Sequence, residues 1–296
     1  MLTFPVSAIG LTASMIQRAA TSQKRINEFL DITPLHNPLL KAAPFKLEKK
    51  IEFDHVKFTY SESGILALNE IDLRFNKGEK VLLLGKTGSG KSTLLQLLLR
   101  FYEPERGKIL FDEVDIALID IQELRSKVGY VSQEVFLFSD TIANNIAFGV
   151  IHSSVDQIKW AAISAAIGDE IEVFPAGYGT LVGERGVTLS GGQKQRISLA
   201  RAILHQPDIL LLDDCLSAVD SQTEQKISTS LNHLFAGKTI LLATHRIPSH
   251  LIMDRIIVLD QGRVVEMGTP EELLAKGGHF KKIIDKQLQE ENSDLV

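Results

Sequence analysis

The chain has 296 residues, 44% hydrophobic and 23% charged, enough for one large domain or two smaller ones with a proper core. A net charge of −5 excludes nucleic-acid binding driven by bulk positive charge. The single cysteine, Cys215, excludes a disulfide within the chain and fits a reducing compartment, and no zinc-type Cys/His spacing is present.

Residues 1–17 carry no charged side chain, yet they fall short of the about 20 apolar residues a membrane span needs. They also lack the basic start of a signal peptide. Two readings stand side by side: an amphipathic terminal helix, or the cytoplasmic end of a membrane helix whose earlier part is missing. Over 14–30, Met15, Ile16, Ala19, Ala20, Ile26, Phe29 and Leu30 recur at spacings of three and four, predicting a helix with one wet face. Pro34, Pro38 and Pro44 interrupt regular structure through 31–48, and the linker is placed at 34–49.

From about residue 50 the texture changes. Val56, Phe58 and Tyr60 alternate with polar residues, as in a half-buried strand. Val81–Leu84 is a short apolar run meeting a glycine-rich loop, and Ser92–Phe101 is leucine-rich and helical. Val128–Val131, Ile209–Leu212 and Ile240–Ala243 are further apolar runs that end in polar residues. Apolar runs of this length between helical stretches predict a buried parallel sheet in an α/β domain. Ligands then bind at the carboxyl ends of the strands. Ile256–Leu259 and Arg263–Met267 flank an Asp260-Gln261-Gly262 turn. Thr269, Pro270 and Glu272 read as a capping box with proline at the first helical position. The last seven residues are largely polar and expected to fray.

Residues 85–92 read Gly85-Lys86-Thr87-Gly88-Ser89-Gly90-Lys91-Ser92, with Thr93 following, between a predicted strand and a predicted helix. This is the P-loop pattern in its required context. Inward N–H groups and the helix N-terminus would cradle phosphate oxygens. Lys91 would reach the β- and γ-phosphates of ATP, and the Ser92 hydroxyl would bind Mg²⁺. Asp213, closing an apolar run, is the metal-side carboxylate, directly or through water.

Residues 189–193 read Leu-Ser-Gly-Gly-Gln, about 100 residues beyond the P-loop. The two motifs together resemble the nucleotide-binding domain of an ATP-binding cassette (ABC) transporter over roughly residues 50–286. The resemblance implies a P-loop NTPase fold: a RecA-like core with a parallel sheet, an antiparallel β subdomain and an inserted α-helical subdomain. It implies that Ser190, Gly191, Gly192 and Gln193 close on the γ-phosphate held by a partner's P-loop, in a head-to-tail dimer with two ATP molecules. Tyr60 resembles the aromatic that stacks on adenine. Gln133 resembles the glutamine that senses Mg²⁺ and the attacking water, and its loop faces the membrane domain. His245 resembles the switch histidine contacting the γ-phosphate. Ser217-Ala218-Val219-Asp220 resembles the loop that communicates across the dimer, and Gly183-Glu184-Arg185-Gly186 the segment through which exporters contact coupling helices.

Residues 1–33 resemble the lead-in from the last membrane helix of an exporter. The chain thus looks like the C-terminal part of a fused permease–ATPase, with a tail at 287–296. The resemblance places it at the cytoplasmic face of the plasma or inner membrane, as part of a multi-pass protein joined to a transmembrane domain, without nucleic acid. One departure matters. The family carries glutamate after the Mg²⁺ aspartate, and here the residue is Asp214. Aspartate is one methylene shorter, and a misplacement of about 1 Å can cost on the order of 100-fold in rate. A slow or silent site follows, and with an intact Ser190–Gln193 motif it resembles the degenerate half of a heterodimer, a homodimer being the alternative. A regulatory ATP-binding module or a non-transport cassette ATPase are the rival readings.

Overall fold

The computed structural model describes residues 3–31, 43–183, 189–217, 219–248 and 250–293. The chain divides into two units, Met1–Ala42 and Ala43–Val296.

In the first unit α1 (Thr3–Leu30) is one continuous helix. Pro5 stands in its first turn, where a missing N–H is harmless. Along α1 the apolar Met15, Ile16, Ile26, Phe29 and Leu30 are exposed. No helix among the described residues is long and apolar enough to cross a membrane. Of the expected linker at 34–49, residues 34–42 lie outside the described residues, and Ala43 bridges to Ile119.

The second unit runs β1 (Lys50–Thr59), β2 (Leu66–Asn76), β3 (Lys80–Leu84), α2 (Lys91–Leu98), β4 (Arg106–Phe111), β5 (Val114–Asp115), α3 (Ile121–Ser126) and β6 (Val128–Val131). Four helices follow, α4 (Ile142–Ala147), α5 (Val155–Ser164), α6 (Gly168–Val173) and α7 (Gly191–Leu204). Then come β7 (Ile209–Asp213), α8 (Ser221–Leu234), β8 (Thr239–Thr244), β9 (Arg255–Asp260), β10 (Arg263–Gly268), α9 (Pro270–Lys276) and α10 (His279–Ser293). One sheet is antiparallel, ordered β2-β1-β4-β5. The other is ordered β10-β9-β3-β8-β7-β6 and is parallel except for the β9–β10 hairpin.

The second sheet is a wall between two cores. Successive strand residues point to opposite faces. Leu82, Leu84, Leu210, Leu212, Ile240 and Leu242 face the core shared with α4–α7. Val81, Leu83, Ile209, Leu211, Leu241 and Ala243 face the core shared with α2 and the antiparallel sheet. Both faces are buried, so these strands read as continuous apolar runs.

Two helix boundaries differ from expectation. The helix expected over Ser92–Phe101 ends at Leu98, because Arg100 takes a left-handed φ of 50°. The tail boundary at 287 falls inside α10. Phe280, Ile283, Ile284 and Gln287 share a face at helical spacing. The Gln287 amide accepts from Ile247 N at 2.9 Å and donates to Ile247 O at 3.2 Å, so the helix is tied down beyond the expected limit. Residues 294–296 lie outside the described residues. The capping box of Thr269 and Glu272 forms as read from the sequence, with Pro270 at the start of α9.

Candidate nucleotide site

The loop after β3 turns back on itself because glycine allows it. A Cβ on Gly85 would stand 2.3 Å from Leu259 O, and one on Gly90 2.5 Å from Ala67 O. Gly90 also has φ 102°. It caps α2 with no side-chain acceptor, which leaves the first N–H groups of that helix to be met by a ligand. A cleft of about 270 Å³ opens here. It is lined by Thr87–Thr93, Tyr60, Gln133, Asp213, Asp214 and His245, with Ile65 and Ala67 at its side.

Every polar residue that reaches the cleft from the parallel sheet comes from a carboxyl end. Asp213 closes β7, His245 follows β8, and Gln133 lies just beyond β6. Parity then decides direction. Ile209 and Leu211 face α2, so Asp213, the next odd position, does too. The Ser92 hydroxyl donates to Asp213 Oδ1 at 2.9 Å. Tyr130 donates to the other oxygen at 3.3 Å. Burial pushes Asp213 above the ordinary carboxylate value, against the bonds from Ser92 and Tyr130. A hydroxyl and a carboxylate side by side are hard oxygen donors, and a carboxylate disfavoured by burial gains from a nearby cation. These residues fit Mg²⁺ better than any soft metal.

Lys91 folds onto its own loop. Its ammonium donates to Gly85 O at 2.7 Å and Lys86 O at 2.9 Å. Burial lowers its pKa, with Asp214 and Asp213 pulling the other way. A triphosphate would add negative charge and favour the charged form.

Asp214 Oδ1 lies 3.1 Å from His245 Nδ1 and accepts from Thr244 Oγ1 at 3.2 Å. Tyr60 lines the cleft, but its hydroxyl turns towards α2, sharing a hydrogen bond with Thr93 Oγ1 at 2.9 Å. Its ring stands edge-on to Phe58 and Tyr102. Ser190, Gly191, Gly192 and Gln193 do not line the cleft. Ser190 and Gly191 are exposed at the tip of α7, in a capping box with Gln193. Glu170 accepts from Gln193 Nε2 at 3.0 Å and from Arg196 at 2.6 Å, pinning that tip from α6. Residues 184–186 and Ala218, to which the sequence reading gave coupling and communication roles, lie outside the described residues. Thr244 and Tyr130 were missed as site residues. The strand-end position of Thr244 was a usable signal, whereas Tyr130 needed the strand pairing.

Known proteins share this fold. A family profile described as ABC transporter matches residues 68–217. An ATP-dependent lipid A-core flippase of Alkalilimnicola ehrlichii is 44% identical over 93% of this chain and 46% of its own length. A probable multidrug resistance ABC transporter ATP-binding/permease protein of Bacillus subtilis is 41% identical, over 97% of this chain and 49% of its own. The structure of a bacterial Atm1-family ABC exporter with ATP bound superposes with TM-score 0.85 at 35% identity, covering 97% of this chain and 50% of that one. The chain thus spans about half the length of these relatives.

Proposed function

Because the chain belongs to the ABC transporter family, whose ATPase domain binds ATP, we propose that it is the motor part of an exporter and binds Mg-ATP in the cleft beside Lys91. The observation that carries this reading is the convergence of Lys91, Ser92, Asp213, Asp214 and His245 on one cleft from three separate segments of the chain. In this reading residues 85–93 hold the triphosphate and Lys91 swings from its loop carbonyls to the β- and γ-phosphates. Tyr60 lies against the base. Ser92, Asp213 and Gln133 would hold Mg²⁺. When bound, such an ion would supply positive charge against the negative charge that develops on the phosphate. Asp214 orients the attacking water, and His245 senses the γ-phosphate.

The exposed helix tip at Ser190–Gln193 supports closure on a second subunit's nucleotide, since a capped helix start offers N–H groups and a favourable dipole to an anion. Two such domains closing together would pull attached membrane helices, at the cytoplasmic face of a membrane. Asp214 in place of glutamate favours a different half-transporter as partner, whose own glutamate would complete the stronger of two sites. It also supports the second reading, a binding module with little turnover.

The test is retention of labelled ATP by the purified chain. Replacing Lys91 with alanine removes a charge-assisted contact and is expected to weaken retention about 10- to 100-fold. Retention unchanged in Lys91→Ala would refute the proposal. Retention without turnover, even with a glutamate-bearing partner, would favour the binding module.

A further inference from the structure

A polar run crosses the face of α2 from the base end of the cleft to its metal end. Gln96 follows Ser92 by four residues and Thr93 by three, so it neighbours both on the helix surface. The Tyr60 hydroxyl donates to Gln96 Oε1 at 3.3 Å. The Tyr130 hydroxyl donates to Asp213 Oδ2 at 3.3 Å, while Ser92 holds Oδ1 at 2.9 Å. Proton counting sets the direction. An ionised carboxylate only accepts, and a phenol has one proton to give. Tyr130 therefore spends its proton on Asp213.

Topology seats Tyr130 there. It pairs with Leu211 across β6 and β7, two positions before Asp213, and packs on the same side of the sheet. Phe101 meets its ring edge-on, with centroids 6.1 Å apart.

We propose that Tyr130 is a positioning residue of the nucleotide site: it fixes the outer oxygen of Asp213 so that the inner one stays aligned with Ser92 for the metal. The proposal rests on the reading of Asp213 as the metal-side carboxylate. Ser92 alone leaves the carboxylate free to rotate about its last bond. The second donor removes that freedom, as partners of metal ligands commonly do.

The test uses Mn²⁺ as a paramagnetic stand-in for Mg²⁺, titrated by EPR into the purified chain loaded with ATP. A fluorescent ATP analogue in EDTA reports nucleotide affinity without metal. Tyr130→Phe keeps the ring and its contact with Phe101 and deletes only the hydroxyl. It is expected to weaken Mn²⁺ binding about 10-fold, with metal-free nucleotide affinity and melting temperature unchanged. Mn²⁺ affinity in Tyr130→Phe equal to wild type would overturn the proposal. So would an equal fall in metal-free nucleotide affinity, which would make the hydroxyl a support of the cleft as a whole. Failure of the underlying site shows differently: wild-type chain would then retain no nucleotide, or Lys91→Ala would retain as much as wild type.

Discussion

The Asp214 carboxylate is held at the end of β8, with one oxygen 3.1 Å from His245 Nδ1 and 3.2 Å from Thr244 Oγ1. Its backbone is fixed as well. Asp214 has φ 49°, and its N–H donates to Ala243 O at 2.7 Å. A short side chain on a fixed backbone, already engaged by two neighbours, has little reach into the cleft. Asp214→Glu adds one methylene and is expected to raise the ATP hydrolysis rate about 10-fold or more, given how steeply rate falls with misplacement. Phosphate release at saturating Mg-ATP measures it. An unchanged rate would mean that Asp214 already positions the water adequately.

Gly90 is irreplaceable on two independent grounds, its φ of 102° and the 2.5 Å that would separate a Cβ from Ala67 O. Gly90→Ala is expected to cost about 1–3 kcal/mol from backbone strain alone, read as a lower urea midpoint. Gly88→Ala is the informative companion. It shares the left-handed φ, at 80°, but nothing lies within 4 Å of its Cβ. It should lose less stability than Gly90→Ala.

Asp112 gathers the start of β1. Its carboxylate accepts from the backbone N–H groups of Glu48, Lys49 and Lys50. Burial pushes its pKa up, but the three donors outweigh that and hold it below the ordinary 3.8. A depressed folded-state pKa means stability that is fully present above 3.8 and lost as pH falls through the folded value. Asp112→Ala is therefore expected to cost about 1–3 kcal/mol near neutrality. The gap from wild type should close in acid, as followed by urea unfolding across pH.

His55 lies at a bulge of β1 between two carboxylates, with Nδ1 2.7 Å from Asp54 and 3.2 Å from Asp72. The hydrogen bond to Asp54, then the charges of Asp72, Asp54 and Glu70, raise its pKa above 6.5, burial opposing weakly. A raised folded-state pKa gives stabilisation that is whole below 6.5 and disappears as pH rises through the folded value. The group is fully exposed, so solvent screens the effect on stability. The titration itself is the readout. The His55 ring protons should titrate above 6.5 in NMR, and Asp72→Asn should lower that midpoint.

Much of this protein was legible in its sequence because the deciding interactions are local. Val81–Leu84, Ile209–Leu212 and Ile240–Ala243 announce strands buried on both faces, since only such strands need no polar side. Residues 85–92 announce their loop through glycines, and Thr269 and Glu272 announce a helix start by a bond spanning three residues. Sequence order does not state which strand lies beside which. β3 sits between β8 and β9, far away in the chain, and β7 between β6 and β8. That order, together with strand parity, brings Asp213 under Ser92, Tyr130 against Asp213, and His245 to Asp214. It also lets Ile247 hold Gln287, extending α10 where the sequence reading placed a tail. These are contacts across the sheet or onto its edge, made by burying apolar faces shared among distant segments. No spacing along the chain encodes them, and only the packed structure could decide them.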